Sequence, residues 1–387
     1  MSEFDAIIIG GGPGGSTAGA MLARAGRRVL ILEKQTFPRF QIGESLLPFG
    51  NAILQESGVW EKVKVAGFIE KLGAEFISSS GAYQQRFWFR EGLFPQYPGT
   101  YQVERAKFDD LLLQHAADSG CEVRQNTPAK AVQLDAAGAT VTFAGGEARS
   151  QWLIDASGRD TFLGRALNVP REQIDMPKRI AVYGHFEGVF RYPGELAGHI
   201  VLVRLNSGWF WLIPLAGAKT SVGMVTTLEH FKERGGEPAA VFEQVVAASP
   251  VLAERMRDAR RVGDFRVTSD YTYGFEQLAF PRAFLVGDAG TFIDPIFSSG
   301  VFIALQSAAQ AARLILSAGD RPLTTREQRR YTRELHRIRN VYLQMIRTYY
   351  DNESFSVFLQ PTKRLQLARS EEHTSELQSP CNLVCRL

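Results

Sequence analysis

Residues 4–22 constrain this chain more than any other stretch, because an apolar strand runs through a glycine-rich turn directly into a helix. Phe4-Asp5-Ala6-Ile7-Ile8-Ile9 has the β-branched, apolar composition of a buried parallel strand. Gly10-Gly11-Gly12-Pro13-Gly14-Gly15 follows, and Ser16-Thr17-Ala18-Gly19-Ala20-Met21-Leu22 reads as a helix. This is G-x-G-x-x-G in its strand–turn–helix setting. Gly10 permits the tight turn, Gly12 lets the backbone approach a pyrophosphate, and Gly15 lets the helix pack on the strand. The helix N-terminus, with Pro13 in it, offers N–H groups to the phosphates. A second strand, Arg28-Val29-Leu30-Ile31-Leu32, ends in Glu33, at the spacing of a carboxylate that accepts a ribose hydroxyl. Lys34 beside it joins the nucleotide-contacting set. The expected fold class is α/β, with a Rossmann-like nucleotide domain at its head.

The chain has 387 residues, enough for two or three domains and a large core. Its formal charge of +3 is too small to argue for a nucleic-acid partner. No apolar run of membrane-spanning length stands out, and the N-terminus enters the first strand at once, leaving no room for a signal peptide. Only Cys121 lies in the body of the chain, so no disulfide framework is possible there. These features predict a cytoplasmic enzyme without an integral membrane segment. No metal site is expected.

Three downstream segments resemble the motifs of FAD enzymes and so separate FAD from NAD. Gln102-Val103-Glu104-Arg105-Ala106-Lys107-Phe108-Asp109 resembles the helix-opening segment in which an arginine, here Arg105, approaches the flavin. Leu153-Ile154-Asp155-Ala156-Ser157-Gly158-Arg159 resembles the second nucleotide-contact motif, with Asp155 and Gly158 as its contacts. Phe284-Leu285-Val286-Gly287-Asp288-Ala289 resembles the third, a strand ending in Gly287 and Asp288, where α/β sheets bind ligands. By that resemblance Asp288 holds the ribityl chain. There is no second G-x-G-x-x-G, so no separate NAD(P)H domain is expected.

Between the last two motifs the sequence is β-rich, with alternating stretches such as His199–Leu205 and Thr220–Val225, and the cluster Asn206-Ser207-Gly208 reads as a hairpin turn. Within it lies Trp209-Phe210-Trp211-Leu212-Ile213-Pro214. Trp209, Trp211 and Ile213 alternate and therefore share one face of a strand. Alone, this is an aromatic core strand. In a flavoprotein, W-x-W-x-I-P resembles the motif of the flavin-dependent halogenases, which lies beside the channel joining flavin to substrate. Trp209, Trp211, Ile213 and Pro214 are thereby channel or substrate candidates.

A second segment carries the same resemblance. Lys71, in Lys71-Leu72-Gly73-Ala74-Glu75-Phe76, matches the K-x-G-x-x-F pattern that supplies the halogenases' active-site lysine, and Gly43-Glu44-Ser45-Leu46-Leu47-Pro48 stands upstream, with Glu44 and Ser45 placed on the flavin. A lysine by itself reads as a surface charge. In this family, reduced flavin, dioxygen and halide yield hypohalous acid, which the lysine hydrogen-bonds or captures as a haloamine. Capture needs the neutral amine, so burial should lower the Lys71 pKa.

Asp294-Pro295-Ile296-Phe297-Ser298-Ser299-Gly300-Val301 is expected to open a helix, with Pro295 near the flavin. The resemblance implies that the Ser299 and Gly300 amides hold halide, a role suited to helix N-terminal N–H groups. An N-cap serine, or a site for a flavin carbonyl, is the alternative. Tryptophan halogenases carry a glutamate in this loop where Phe297 stands. That departure points to the phenol/pyrrole type, whose substrates stabilise their own cationic intermediate. The implied reaction is chlorination or bromination of an electron-rich aromatic of secondary metabolism, with FADH2 from a separate flavin reductase and the substrate free or carrier-bound. A flavin monooxygenase or geranylgeranyl-reductase-like enzyme on the same scaffold, and a non-catalytic truncated flavoprotein, remain alternatives.

The expected organisation is a Rossmann-like FAD-binding domain of the glutathione reductase/p-hydroxybenzoate hydroxylase type, an antiparallel β substrate domain and C-terminal helices. The FAD domain takes residues 1–75, 101–165 and 272–320. The substrate domain takes 76–100 and 166–271, interrupted by a helix near Ala239–Ala247. A helical region with an Arg-rich face fills 321–368; it reads as a solvated surface or as a dock for an acidic carrier protein. In 369–387, Arg369-Ser370-Glu371-Glu372-His373-Thr374-Ser375-Glu376-Leu377-Gln378-Ser379 matches a translated sequencing adapter. These last residues, with Cys381 and Cys385, are expected to be foreign to the natural protein and to bind no metal.

Overall fold

The computed structural model describes residues 3–92, 95–269 and 272–351. The terminal stretch 369–387 and both of its cysteines lie outside the described residues. The chain forms two compact units, each assembled from three separate segments. The first takes Met1–Gly67, Glu104–Asp175 and Thr272–Asn340; the second takes Phe68–Val103, Met176–Tyr271 and the chain from Val341. Lys71 thus belongs to the second unit.

The first unit is built on an eight-stranded sheet. Its path runs Ala279–Phe280, Ala283–Leu285, Gly146–Asp155, Phe4–Ile9, Val29–Leu32, Glu122–Arg124. Phe4–Ile9 pairs in parallel with both of its neighbours, Ile7 opposite Leu153 on one side and Leu30 on the other. Ala6, Ile7 and Ile8 are fully buried, as a strand covered on both faces must be. The fingerprint helix, Pro13–Arg24, packs against Arg105–Asp118 and Ser299–Ala318. The last of these corrects the expectation that no segment reaches membrane-spanning length, because its 20 residues are long and apolar enough. Its composition has another cause. Ala308, Ala309, Ala311 and Ala312 are all buried, and such small side chains let neighbouring backbone come close. A β-carbon at Gly14 would lie only 3.4 Å from the Ala304 carbonyl oxygen.

The second unit holds a seven-stranded sheet ordered Arg260–Ser269, Arg179–Glu187, Thr220–Thr227, Gly208–Pro214, Ile200–Arg204, Gly73–Ser78, Gln84–Trp88. All pairings are antiparallel except one, where Ile200 lies opposite Ala74 in a parallel register. Those two strands come from different excursions of the chain, so no hairpin dictates their direction. One sheet face carries Ile77, Val182, Val201, Val203, Phe210, Leu212 and Met224 against Phe231, Val241, Phe242, Val245 and Leu252 of the covering helices. The central covering helix is Pro238–Ala248, started by the Glu237 carboxylate, which accepts from the Ala239 and Ala240 amides at 3.2 and 2.7 Å. A separate two-stranded ribbon pairs Ile69–Lys71 with Thr100–Gln102. The Arg-rich segment is a single helix, Thr325–Tyr350.

Candidate functional site

The fingerprint turn shows why each glycine is needed. Gly10 has φ +103°, and a β-carbon there would collide with the Ala156 carbonyl. That carbonyl is fixed by its own amide, which donates to Ile9 O at 2.8 Å. A β-carbon at Gly15 would strike the Gly10 carbonyl. Gly12 differs: the nearest atom to its absent β-carbon is Arg39 Nη2, at 3.5 Å. Gly12 is thus a cradle with one guanidinium at its rim. It is also the N-cap of the fingerprint helix and is followed by Pro13, and no side chain caps the helix.

Glu33 is buried and its carboxylate is engaged on both oxygens, Oε2 by the Gly11 amide at 2.7 Å and Oε1 by the Gln35 amide at 2.8 Å. Lys34 points elsewhere, into an ion pair with Asp160 that is about half exposed on both sides. Asp155 is fully buried and accepts from the Ser157 and Leu163 amides at 2.9 and 2.7 Å, while burial pushes its pKa up. It shapes the turn beginning at Gly158, whose φ is +67°.

Arg105 opens its helix and is locked there. Its guanidinium donates to both Asp109 oxygens, at 2.6 and 2.9 Å, and to the Ile42 carbonyl at 2.7 Å. Arg39 donates to the same Asp109, at 3.2 Å. Burial alone would depress the Arg105 pKa; the charge of Asp109, then those of Asp288 and Glu44, outweighs it. The charges of Asp288 and Glu44 thus both act on the Arg105 guanidinium. The Ile42–Gly43 anchor leads straight into Glu44 and Ser45, both buried, and Ser45 Oγ has no hydrogen-bond partner among the described residues. Burial pushes the Asp288 carboxyl up to about 6 against the opposing pull of Arg105 and Arg159. Tyr273 donates its hydroxyl to the Asp288 carbonyl at 2.7 Å. Gly287, at φ +60°, lets Ala304 approach; a β-carbon there would lie 2.9 Å from the Ala304 methyl.

The loop from Asp294 departs from its expected form. Asp294 caps a short 3-10 turn, Pro295–Phe297, by accepting from the Ile296 amide at 3.1 Å. Ser298 then turns left-handed, at φ +57°, and the α-helix starts only at Ser299. Ser298 makes no side-chain cap. Ser299 Oγ is buried with no partner among the described residues, and nothing lies within 4 Å of a β-carbon placed on Gly300. The first turn of this helix therefore offers an uncapped N-terminus, an unused hydroxyl and open space. Phe297 is half-buried in the turn before it.

In the second unit, Lys71 is 2 % exposed, and desolvation lowers its pKa to about 7. Its ammonium nitrogen stands 5.3 Å from the centre of the Phe89 ring. The Phe89 amide donates to Leu72 O at 3.0 Å, which fixes that ring beside the lysine strand. The opposite ribbon strand supplies Gln102, which donates to Gly198 O at 2.9 Å. The indole strand Gly208–Pro214 is buried throughout. Trp209, Trp211 and Ile213 share the face opposite Phe210 and Leu212. Both indoles are hydrogen-bonded, Trp209 to Tyr350 Oη at 2.7 Å and Trp211 to Ser221 Oγ at 3.1 Å. Gly223 lies directly across from Trp211 and leaves room for its ring. Pro214 ends the strand on the other face, where it lines a cavity of about 20 Å³ with Leu212 and His199.

Sequence reasoning missed Arg39, Asp109 as the hub of two arginines, Gly223 and Tyr350. Only Asp109 left a signal, four residues after Arg105 on a helix. It also missed a buried acid on the lysine's own segment: Glu75, fully buried, accepts from Arg86 at 2.6 Å and from Arg255 and Tyr192 at 3.3 Å each. Among the described residues, no group of three His, Cys, Asp or Glu is placed to hold a metal.

A family model described as an FAD binding domain matches residues 3–334. The 1H-pyrrole-2-carbonyl-[peptidyl-carrier protein] chlorinase of Pseudomonas fluorescens is 32 % identical over 345 residues, covering 82 % of this chain and 76 % of its own. The corresponding brominase of Pseudoalteromonas luteoviolacea is 33 % identical over 330 residues, covering 83 % and 80 %. The myxobacterial chondrochloren halogenase CndH, a solved FAD-dependent halogenase, superposes with a TM-score of 0.82 at 33 % identity over 95 % of this chain and 89 % of its own. The open Gly12 cradle, the orphaned Ser45 hydroxyl and the charged cluster around Arg105 fit a dinucleotide with a polar ring system. The chain belongs to the flavin-dependent halogenases and is an FAD-dependent enzyme that uses halide.

Proposed function

We propose that this enzyme halogenates an electron-rich aromatic ring of the phenol or pyrrole type presented as a carrier-protein thioester, and takes reduced flavin from a separate reductase. The observation that carries the catalytic assignment is Lys71, a buried amine with a pKa lowered to about 7, on a segment of the halogenase pattern. Bound reduced FAD would supply, with dioxygen, the two-electron oxidation of halide. Everything else falls to this chain's residues. Gly10, Gly12, Pro13 and Gly15 seat the pyrophosphate on the fingerprint helix. Glu33 and Lys34 lie at the adenosine end. Arg105 fixes the segment that leads into Glu44 and Ser45, and these two, with Asp155, Gly158, Gly287, Asp288 and Pro295, would hold the flavin. The uncapped helix start at Ser299 and Gly300 takes the halide by its amides. Lys71 receives or hydrogen-bonds the halogenating species and directs it, excluding loss to water. Trp209, Trp211 and Ile213 form one candidate face toward substrate; Pro214 lies on the opposite face of that strand, and Phe297 is a separate candidate. The absence of acid at Phe297 and the pyrrole-thioester substrates of the two relatives above support the substrate class.

The test is product mass and isotope pattern with chloride or bromide, a flavin reductase, and phenols and pyrroles supplied free and as carrier thioesters. A halogenated pyrrole or phenol is expected. Hydroxylation without halide, insensitive to Lys71→Ala, would overturn the reading. Gly12→Val gives a separate check: the open space there lets the variant fold, and it should lose FAD.

A further inference from the structure

We propose that the arginine stripe on the helix Thr325–Tyr350 is the docking surface for the acidic carrier protein that brings the substrate. This deepens, and rests on, the carrier-thioester reading above. Arg326, Arg330, Arg333 and Arg337 recur at i, i+4, i+7 and i+11, which places them on one helical face, and all four are exposed. Arg329 flanks them and is exposed too. On the other side, Tyr331 and Leu335 are buried, and the Tyr331 hydroxyl donates to Leu285 O at 3.0 Å. The helix is therefore held by its apolar face and shows the stripe outward.

Three features separate this stripe from an ordinary solvated face. Its arginines make no ion pair among the described residues, whereas exposed arginines close to it do: Arg313 pairs with Glu56, and Arg321 with Glu327 at 2.7 Å. Glu334, the one other acid on the helix, acts on Arg313 instead. The helix also concentrates the charge. It carries seven arginines and two glutamates, a net +5, against +3 for the whole chain, so everything outside it is on balance acidic. Finally, the cations are all arginine. Guanidinium forks suit paired recognition of carboxylates and of a phosphodiester, which an acidic carrier domain with its phosphopantetheine arm presents together.

The experiment compares two substrates of one reaction: a pyrrole-2-carbonyl thioester on an acidic peptidyl-carrier protein, and the same thioester on free pantetheine. Enzyme carrying Arg330→Glu, Arg333→Glu and Arg337→Glu together is set beside the parent. The expected result is a fall of kcat/KM for the carrier substrate of at least tenfold, seen in KM, with its salt dependence flattened. The pantetheine substrate should be turned over as before, with unchanged FAD binding. Arginine-to-lysine replacements at the same positions should lose less than the charge reversals, because they keep the charge, but should not match the parent, because they lack the guanidinium fork. Equal losses on both substrates would overturn the proposal, as would no loss on a carrier substrate that the parent clearly prefers. A loss confined to reductase-coupled assays, absent when FADH2 is supplied chemically, would assign the stripe to the reductase and also overturn it. A parent enzyme with no preference for the carrier substrate would instead sink the carrier reading itself.

Discussion

The two units hold their buried functional charges differently. In the first, Glu33, Asp155 and Asp109 are held by donors, while burial pushes the Asp288 carboxyl up to about 6. Glu33 and Asp155 each accept two backbone amides, and Asp109 takes Arg105 and Arg39 together. In the second, Lys71 is withdrawn from water against the face of Phe89, and its pKa falls to about 7. The second unit does pair charges elsewhere, at Glu75 with Arg86 and Arg255. The contrast thus follows the job of each group. Groups that hold a cofactor gain from fixed charge. A group that must alternate between ammonium and amine gains from a pKa near the working pH.

The largest effect should come from the lysine. Lys71→Ala should leave FAD binding and FADH2 oxidation nearly unchanged and cut halogenation about 10³-fold, within the range for a positioned proton-handling side chain. Lys71→Arg should fail as well, since a guanidinium cannot supply a neutral amine. If the neutral amine captures halogen, product formation should rise with pH through about 7; a fall across that range would assign the work to the ammonium. Stability follows the same titration. The folded pKa lies below the unfolded one, so between about 7 and 10.5 the unfolded chain holds the extra proton, and stability increases with pH across that window. Lys71→Met should therefore be more stable than the parent below pH 7, by at most roughly 5 kcal/mol, with the gap closing toward pH 10. A gap independent of pH would break the comparison between the units.

Next in size is the hub of the first unit. Asp109→Ala leaves Arg105 buried without its carboxylate, and should cost about 3 kcal/mol or more in chemical denaturation and lower FAD affinity with it. Lys34→Ala removes an ion pair that is half exposed on both sides and should be close to neutral for stability. Equal costs for the two would mean that the first unit is not organised around Asp109.

A smaller effect is expected opposite the indole strand. Gly223→Ala forces a methyl into the ring of Trp211, and should cost about 2 kcal/mol as an overpacked core does. A neutral outcome would show that the indole has room to move.

The legible parts of this molecule share a property: they depend on a local run of sequence. The fingerprint turn, the strands leading to Glu33 and to Asp288, and the shared face of Trp209, Trp211 and Ile213 all follow from spacing along one strand or turn. The lowered Lys71 pKa was legible only because a family resemblance attached chemistry to an otherwise ordinary lysine. What escaped depends on the fold bringing distant residues together. Arg39 reaches the Gly12 cradle from a loop, Gly223 faces Trp211 across a hairpin, and Tyr350 meets Trp209 from 141 positions away. The late helix start at Ser299 escaped for a different reason. A left-handed serine at 298 has no sequence signature, because that conformation normally selects glycine or asparagine.

The smallest prediction concerns that last distant pair and asks what the tryptophan motif is for. The Tyr350 hydroxyl accepts from Trp209 Nε1 at 2.7 Å, while the Arg179 guanidinium stacks 3.5 Å above the Tyr350 ring. Tyr350→Phe keeps the ring and its cation and deletes one acceptor. It leaves a buried indole N–H unanswered, worth about 1 kcal/mol. For a chain of this size that is roughly 2 °C in Tm. Tryptophan emission should shift, because the indole loses its hydrogen bond. Halogenation per folded, FAD-loaded molecule should stay the same if this end of the strand is scaffold. A drop in kcat without loss of stability would instead make the Trp209–Tyr350 pair part of the substrate route. The halogenase motif would then be split, with Trp209 in the chemistry and Trp211, bonded to Ser221 within the sheet, in the frame.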